Sequence, residues 1–572
     1  MGYTARYPGG WTVFKATEPC LAGQDDRRDA PNGDRIENAE TEGNVDRPFL
    51  PAMLATIEFD PPPMSTDHSC RASPYVLLLR ARRPPGAPGP ASGAPLRDPG
   101  LDFDLPRPTL GRMARVDSDE GHLQGPPARG PLGNLREYAA APLEAFRRWN
   151  AGYDDAVRLR FGPQAALLLT SPEAAEDVLV NQAHAFRKAP IIRQLAEPVI
   201  GHSVFTAEGE DWRRQRACLE PFFASDRMEA LVPTIATHVR AMVATWTPGR
   251  VIETLAETMA MSQRIGGQAL FGATVSDSDV ARVRAALDVT SAAFQHGVGH
   301  PLSVIGPRWL PTPSRRRVRR AIRELDSIAS ALIQGRRRYA DGGPDLLGQL
   351  LREQDASWLT DRLIRDNVVT LIVDSRENPG LLLTWALYLL ARHPDIADRL
   401  AAEARDVLGD GEVGPSVTRD LSLTGQVLRE TLRLYPPVYS TGRQAVRDCT
   451  VAGIRVSRGT IVLLSQFVTH RSARWFNRPD EFLPDRWEGG YADSLPDGAY
   501  APFNIGQRRC LGENLAWVVG LIGLSILMKE RRFELVEPEP VEPSVLLSLR
   551  PAREVLLRVL PGRAQTRITT DA

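Results

Sequence analysis

Lysine is almost missing from this chain: its 70 basic residues include only Lys15, Lys188 and Lys529, and arginine supplies the rest. That bias fits a GC-rich coding genome and says nothing about partners. Charge of one sign is also lacking, since acidic residues number 70 as well, which argues against non-specific binding to nucleic acid. The five cysteines (Cys20, Cys70, Cys218, Cys449, Cys510) are scattered and odd in number. They exclude a disulfide framework and suit a reducing cytoplasm. A membrane-crossing run of roughly 20 apolar residues is missing too. The nearest approach, 515–528, is short, contains Trp517 and two glycines, and reads as a buried core helix. The N-terminus shows no charged-then-apolar signal peptide pattern.

What is present divides the 572 residues in three. Residues 1–125 are rich in proline and glycine, as in Pro84-Pro85-Gly86-Ala87-Pro88-Gly89-Pro90, and lack sustained periodicity. Such composition buries too little apolar surface to offset the entropy of ordering, so a disordered extension is expected. A start further downstream, at Met64 or Met113, accounts for it equally well. Residues 126–563 form one large, mainly helical domain, and 564–572 are a tail. Val157–Phe161 alternates like a strand, with 165–170 as its hairpin partner across Gly162-Pro163. Helical patterns cover 172–179, 211–223, 228–246, 314–338, 359–392 and 394–408, and short strands return near 442–456 and 460–464.

Cys510 stands in the loop Phe503-Asn504-Ile505-Gly506-Gln507-Arg508-Arg509-Cys510-Leu511-Gly512. With no Cys or His beside it, it cannot build a four-ligand zinc or iron–sulfur site. It can be the one protein ligand of an iron already held by a porphyrin. The helix expected to follow it would lower the thiol pKa through its N-terminal dipole, and the glycines would allow close backbone approach. Upstream, Glu430 and Arg433 lie three apart on a helix closed by Pro436-Pro437. Alone they would make a surface ion pair of little worth. Trp212 and Arg216 share a helix face, and arginine suits the carboxylates of a tetrapyrrole, although alone the pair is ordinary packing beside a solvated cation. Arg443 opens an expected strand.

Together these residues resemble the cytochrome P450 family of haem-thiolate oxygenases, in its soluble bacterial form, over about residues 126–563. Phe503, Gly506, Arg508, Cys510 and Gly512 match the FxxGxRxCxG loop, Glu430 and Arg433 match ExxR, and Phe482–Trp487 is similar to the meander segment. The resemblance implies a triangular helical body, a long central helix over the haem and small antiparallel sheets. It also implies haem b (iron protoporphyrin IX) on Cys510, propionate contacts from Trp212, Arg216, Arg443 and Arg508, and Arg486 locked against the Glu430–Arg433 pair. Pocket walls would come from 188–205, 290–311 and 438–441. The partners it implies are a small-molecule substrate and a separate ferredoxin or flavodoxin with its reductase. The expected protein is a cytoplasmic monomer without a membrane span. His296 and His300 read better as surface-loop histidines than as metal ligands.

One segment departs from the family. Asp374-Ser375-Arg376-Glu377-Asn378-Pro379-Gly380 interrupts an apolar helix where the family usually has Ala-Gly-x-Glu/Asp-Thr-Thr. Glu377 fills the acid position and Asn378 replaces the proton-relaying threonine. Thr370 and Thr384 are not substitutes; Thr384 lies about 9 Å along the helix. Pro379 cannot donate to the Ser375 carbonyl, which is left free for water. Glu377 and Asn378 are thus the expected catalytic pair, with Glu377 delivering protons through water at Asn378. A turn between two helices is the bland alternative for Asn378-Pro379-Gly380. The expected activity is monooxygenation of a small apolar, secondary-metabolite-like substrate. Peroxide-driven or hydroperoxide-rearranging chemistry is the alternative, and a haem-thiolate sensor or carrier is the non-enzymatic one.

Overall fold

The computed structural model describes residues 123–299 (backbone only from 295), 313–338, 343–354 and 358–562, with three short strands near the N-terminus. The rest of the extension 1–125, the tail 564–572, the later part of segment 290–311, and the side chains of His296 and His300 lie outside the described residues. The chain divides into two units, Met1–Arg107 and Pro108–Ala572. In the first, Thr4–Tyr7, Trp11–Phe14 and Leu77–Arg80 pair antiparallel.

The second unit carries the expected fold, mainly helical with small sheets. Strands β1 (Ala156–Phe161) and β2 (Gln164–Leu169) form the foreseen hairpin across Gly162. Strand β3 (Phe186–Lys188) leads into α1 (Pro190–Ile200), followed by α2 (Gly209–Leu219), α3 (Thr254–Phe271) and α4 (Asp277–Gly299). The central helix α5 (Asp361–Arg392) is one element, so the bland turn at Asn378-Pro379-Gly380 does not form. Then come α6 (Ser422–Leu434), β4 (Thr441–Ala445), β5 (Ile461–Leu464), α7 (Glu513–Glu530), β6 (Pro543–Val545) and β7 (Leu549–Pro551). The five-stranded sheet runs β1-β2-β5-β4-β3, with β5 parallel to β2 and the other pairs antiparallel. Sequence patterns missed α1, α3 and α4; α3 is buried on several sides and so loses the clean apolar stripe that marks an amphipathic helix.

Helix α5 starts at Thr360, whose hydroxyl accepts from the Leu363 N–H at 3.2 Å, a side-chain N-cap. Its apolar residues 368–373 and 381–390 are buried throughout. Two buried polar residues tie it to the loop after α1. Asp366 accepts from the His202 N–H at 2.8 Å and pairs with Arg365, while Asn367 accepts from the Val204 N–H at 3.0 Å. On the α3 side, the Thr384 hydroxyl donates to the Gly380 carbonyl at 2.8 Å and meets the Thr258 hydroxyl at 2.8 Å. Thr384 is therefore a helix-packing residue, in line with its exclusion from the relay. Helix α7, buried along most of its length, is the core helix read from 515–528.

Candidate active site

A cavity of about 990 Å³ lies between α5 and the Cys510 loop, at the upper end of the usual range for ligand pockets. Trp212, Arg216, Arg443, Phe503, Arg508, Cys510, Gly512, Glu377 and Asn378 all line it. Gly506 does not; it shapes the loop from outside. Its φ is +70°, and a Cβ there would lie 2.2 Å from the Leu179 carbonyl oxygen, so no side chain fits. The Cys510 N–H donates to the Phe503 carbonyl at 2.9 Å, closing the loop. Gly512 has an ordinary φ of −83°, so no forbidden turn requires glycine there. What its missing side chain leaves is open space on the cavity wall.

Cys510 is exposed and lines the cavity. Burial pushes its pKa up to about 12, with Asp374 adding to the rise, while a Gly512 backbone hydrogen bond and Arg216 oppose it. The depressed pKa expected from the helix dipole is thus outweighed by desolvation. Coordination to a metal cation, which deprotonates a thiol outright, would have to supply the thiolate.

Cations gather on one wall. Arg508 stacks 4.0 Å from the Trp212 ring centroid and donates to the Ala207 carbonyl at 2.9 Å and to Glu208. Arg216 donates to the Arg509 carbonyl at 2.6 Å. Arg443 is buried, donates among the described residues only to the neighbouring Gly442 carbonyl, and has its pKa pushed down to about 10 by burial and then by Arg508. Lys188 joins them: burial, then Arg443 and Arg508, hold its ammonium well below the usual pKa. Sequence reasoning placed Lys188 only at the edge of a pocket segment. The available signal was its rarity, one of three lysines in the chain.

Behind the loop, Glu430 and Arg433 are fully buried rather than exposed, bonded twice at 2.8 Å. Glu430 also accepts from Arg486 at 3.0 Å, Trp487 at 2.9 Å and the Leu483 N–H at 2.9 Å. Arg433 reaches the His470, Pro479 and Glu481 carbonyls. The pair staples α6 to the meander, with Arg486 placed as the resemblance implies. A buried ion pair survives when further hydrogen bonds satisfy its remaining atoms, as they do here.

On the opposite wall, Asp374, Ser375, Glu377, Asn378 and Pro379 of α5 line the cavity. Glu377, expected to shuttle protons, accepts from Arg550 of β7 at 3.1 and 2.8 Å and from the Ser548 hydroxyl. With both carboxylate oxygens engaged, it ties α5 to the β6–β7 hairpin. Asp374 makes no hydrogen bond among the described residues; burial first, then Glu377, raise its pKa to about 7, with Lys188 opposing. Thr370 lines the cavity but donates to the Asp366 carbonyl at 2.9 Å. Segments 188–205 and 438–441 and the described part of 290–311 all contribute to the walls, as do residues near Leu547, which the sequence did not point to.

A dianionic porphyrin fits this donor set. A lone thiol faces the cavity, open space stands at Gly512, and four cations converge, Arg508 paired with Glu208 and Arg216 with Glu220. Residues 123–558 match the cytochrome P450 family model. The chain is 31% identical to cyclooctat-9-en-7-ol 5-monooxygenase of Streptomyces melanosporofaciens, over 67% of this chain and 83% of that protein. It is 29% identical to cyclooctatin synthase of the same organism, over 75% and 93% of the two chains. It is also 29% identical to pentalenene oxygenase of Streptomyces avermitilis, over 75% and 95%. The chain belongs to the cytochrome P450 family and is a haem-dependent monooxygenase.

Proposed function

We propose that this monooxygenase hydroxylates an apolar, terpenoid-like secondary metabolite. The carrying observation is the character of the cavity. Phe205, Val438 and Leu547, three of the most exposed large apolar side chains among the described residues, line it, beside Val199, Leu195 and Leu371. Exposed apolar groups collected in a concavity mark a binding surface for an apolar ligand. The named substrates of two relatives, cyclooctat-9-en-7-ol and pentalenene, are of the same kind.

Haem, when bound, supplies the activation of dioxygen. Cys510 would be its thiolate ligand, and Arg443, Arg508, Arg216, Trp212 and Lys188 would meet its propionates. Phe503 packs behind the loop against Trp517, and Gly506 sets the turn that aims Cys510. Asn378 would order water at the distal wall, and Glu377 would position that wall through Arg550. Electrons would come from a separate ferredoxin or flavodoxin system in the cytoplasm; no helix among the described residues is long and apolar enough to cross a membrane. The peroxide-driven alternative draws no support from these relatives, two of which are named as oxygenases.

A reduced carbon-monoxide difference spectrum tests the thiolate ligation, and Cys510→Ala should abolish its band. Turnover of cyclic olefins with reductase and NAD(P)H tests the reaction. Turnover with peroxide alone would refute it.

A further inference from the structure

We propose that Asp374 is the acid that holds and releases the proton at the distal wall, handing it to water seated at Asn378. The proposal rests on the monooxygenase reading and adds a residue to which that reading gave no role.

Four observations carry it. First, Asp374 and Asn378 are one turn apart on α5, so they share a face, and both line the cavity. Second, neither side chain has a hydrogen-bond partner among the described residues, whereas Glu377 is fully engaged by Arg550 and Ser548. A carboxyl with free oxygens can take up and pass on a proton; one whose two oxygens are engaged by a guanidinium and a hydroxyl has no oxygen free to do so. Third, the charged groups acting on Asp374 are Glu377 on its own helix, which raises its pKa, and Lys188 at the end of β3, which opposes the rise; Asp374 in turn acts on Cys510 across the cavity. Loss of bulk solvent and then Glu377 bring its pKa up to about 7 against Lys188, and there an acid exchanges its proton most effectively at neutral pH.

Fourth, there is a route for reloading. Pro379 has no N–H, so the Ser375 carbonyl lacks its helical partner. Ser375 lines both the main cavity and a second one of about 60 Å³ behind the helix. Gln263 lines that second cavity, and its buried Oε1 has no partner. The space is roomy enough for water, and orphaned polar atoms are what such waters satisfy. The overall reaction balances as substrate C–H plus dioxygen, two electrons and two protons giving C–OH and water. The electrons come from the external ferredoxin or flavodoxin. Twice per cycle, Asp374 gives its carboxyl proton to the water at Asn378 and takes one back through water at Ser375, which is itself reprotonated from bulk solvent, so that both protons are delivered and acid and waters end the cycle unchanged.

The test uses the haem-loaded protein and its Asp374→Asn, Asp374→Glu and Glu377→Gln variants. The first readout is the infrared C–O stretch of the reduced, carbon-monoxide-treated protein, followed from pH 5 to 9. Wild type should show a one-proton shift centred within about one unit of pH 7, and Asp374→Asn should lose it. The second is coupling, product formed per electron consumed. It should fall by at least about ten-fold in Asp374→Asn, with a larger solvent deuterium isotope effect, and recover in Asp374→Glu. Glu377→Gln should keep a one-proton infrared shift, with its midpoint lowered because the Glu377 charge no longer raises the Asp374 pKa. If Asp374→Asn loads haem and keeps both the shift and the coupling, the proposal is overturned while the monooxygenase reading stands. If only peroxide supports turnover, the monooxygenase reading falls, and the infrared titration still decides whether Asp374 holds the proton.

Discussion

Arg550→Met probes the clamp between the central helix and the C-terminal hairpin. The Arg550 and Glu377 side chains are 10% and 4% exposed, joined by two hydrogen bonds of 3.1 and 2.8 Å. Two unit charges about 4 Å apart interact by about 4 kcal/mol at an effective dielectric near 20. Stranding one buried charge costs about 3–5 kcal/mol by comparison with other buried pairs. The single variants Arg550→Met and Glu377→Leu should therefore each lower the unfolding free energy of the haem-loaded protein by about that much. The double variant removes both charges and should recover most of the loss, short of about 1 kcal/mol for the Ser548 hydroxyl left without its acceptor. Urea unfolding followed by circular dichroism and by the Soret band measures all four corners of this cycle. Single-variant losses below about 1 kcal/mol would refute the clamp. A folded, haem-loaded double variant with undiminished turnover would refute both a positioning and a proton-delivery role for Glu377.

Three further outcomes follow from the same geometry. Glu430→Ala strands Arg433 and Arg486 and orphans the Trp487 and Leu483 donors, so the protein should fail to accumulate haem-loaded, or lose more than about 5 kcal/mol, read by Soret absorbance per protein. Gly506→Ala places a methyl group against the Leu179 carbonyl at a φ of +70° and should cost at least about 1–3 kcal/mol and lower haem retention on gel filtration. For pH, the Asp374 carboxyl has a folded pKa raised above its unfolded value. Its contribution to stability is therefore full at about pH 4 and lost as pH rises through about 7. Asp374→Asn should gain on wild type across that window in urea unfolding, and a constant difference would show that Asp374 does not titrate there.

The chemistry of the proximal loop was legible in the sequence because it is local. A thiolate loop needs its Cys, its glycine and its arginine within ten consecutive positions, and Gly506 is fixed by a backbone angle that only local sequence can announce. The Glu430–Arg433 pair was legible as a pattern but not as an energy, since its burial depends on a meander some 50 residues away. Helix α3 escaped because tertiary packing on several sides erases the periodicity that sequence reading relies on.

The distal wall divides the two sources of information most sharply. By itself the sequence determined that a polar, proline-containing segment interrupts an apolar helix and that the usual threonine is replaced by Asn378. It could not say which of two nearby acids is free. Only the tertiary structure decided that, by bringing Arg550, 173 residues away along the chain, onto Glu377 and leaving Asp374 facing the cavity. An acid's role depends on its partners and its solvent, and both are supplied by chain segments that sequence distance does not reveal.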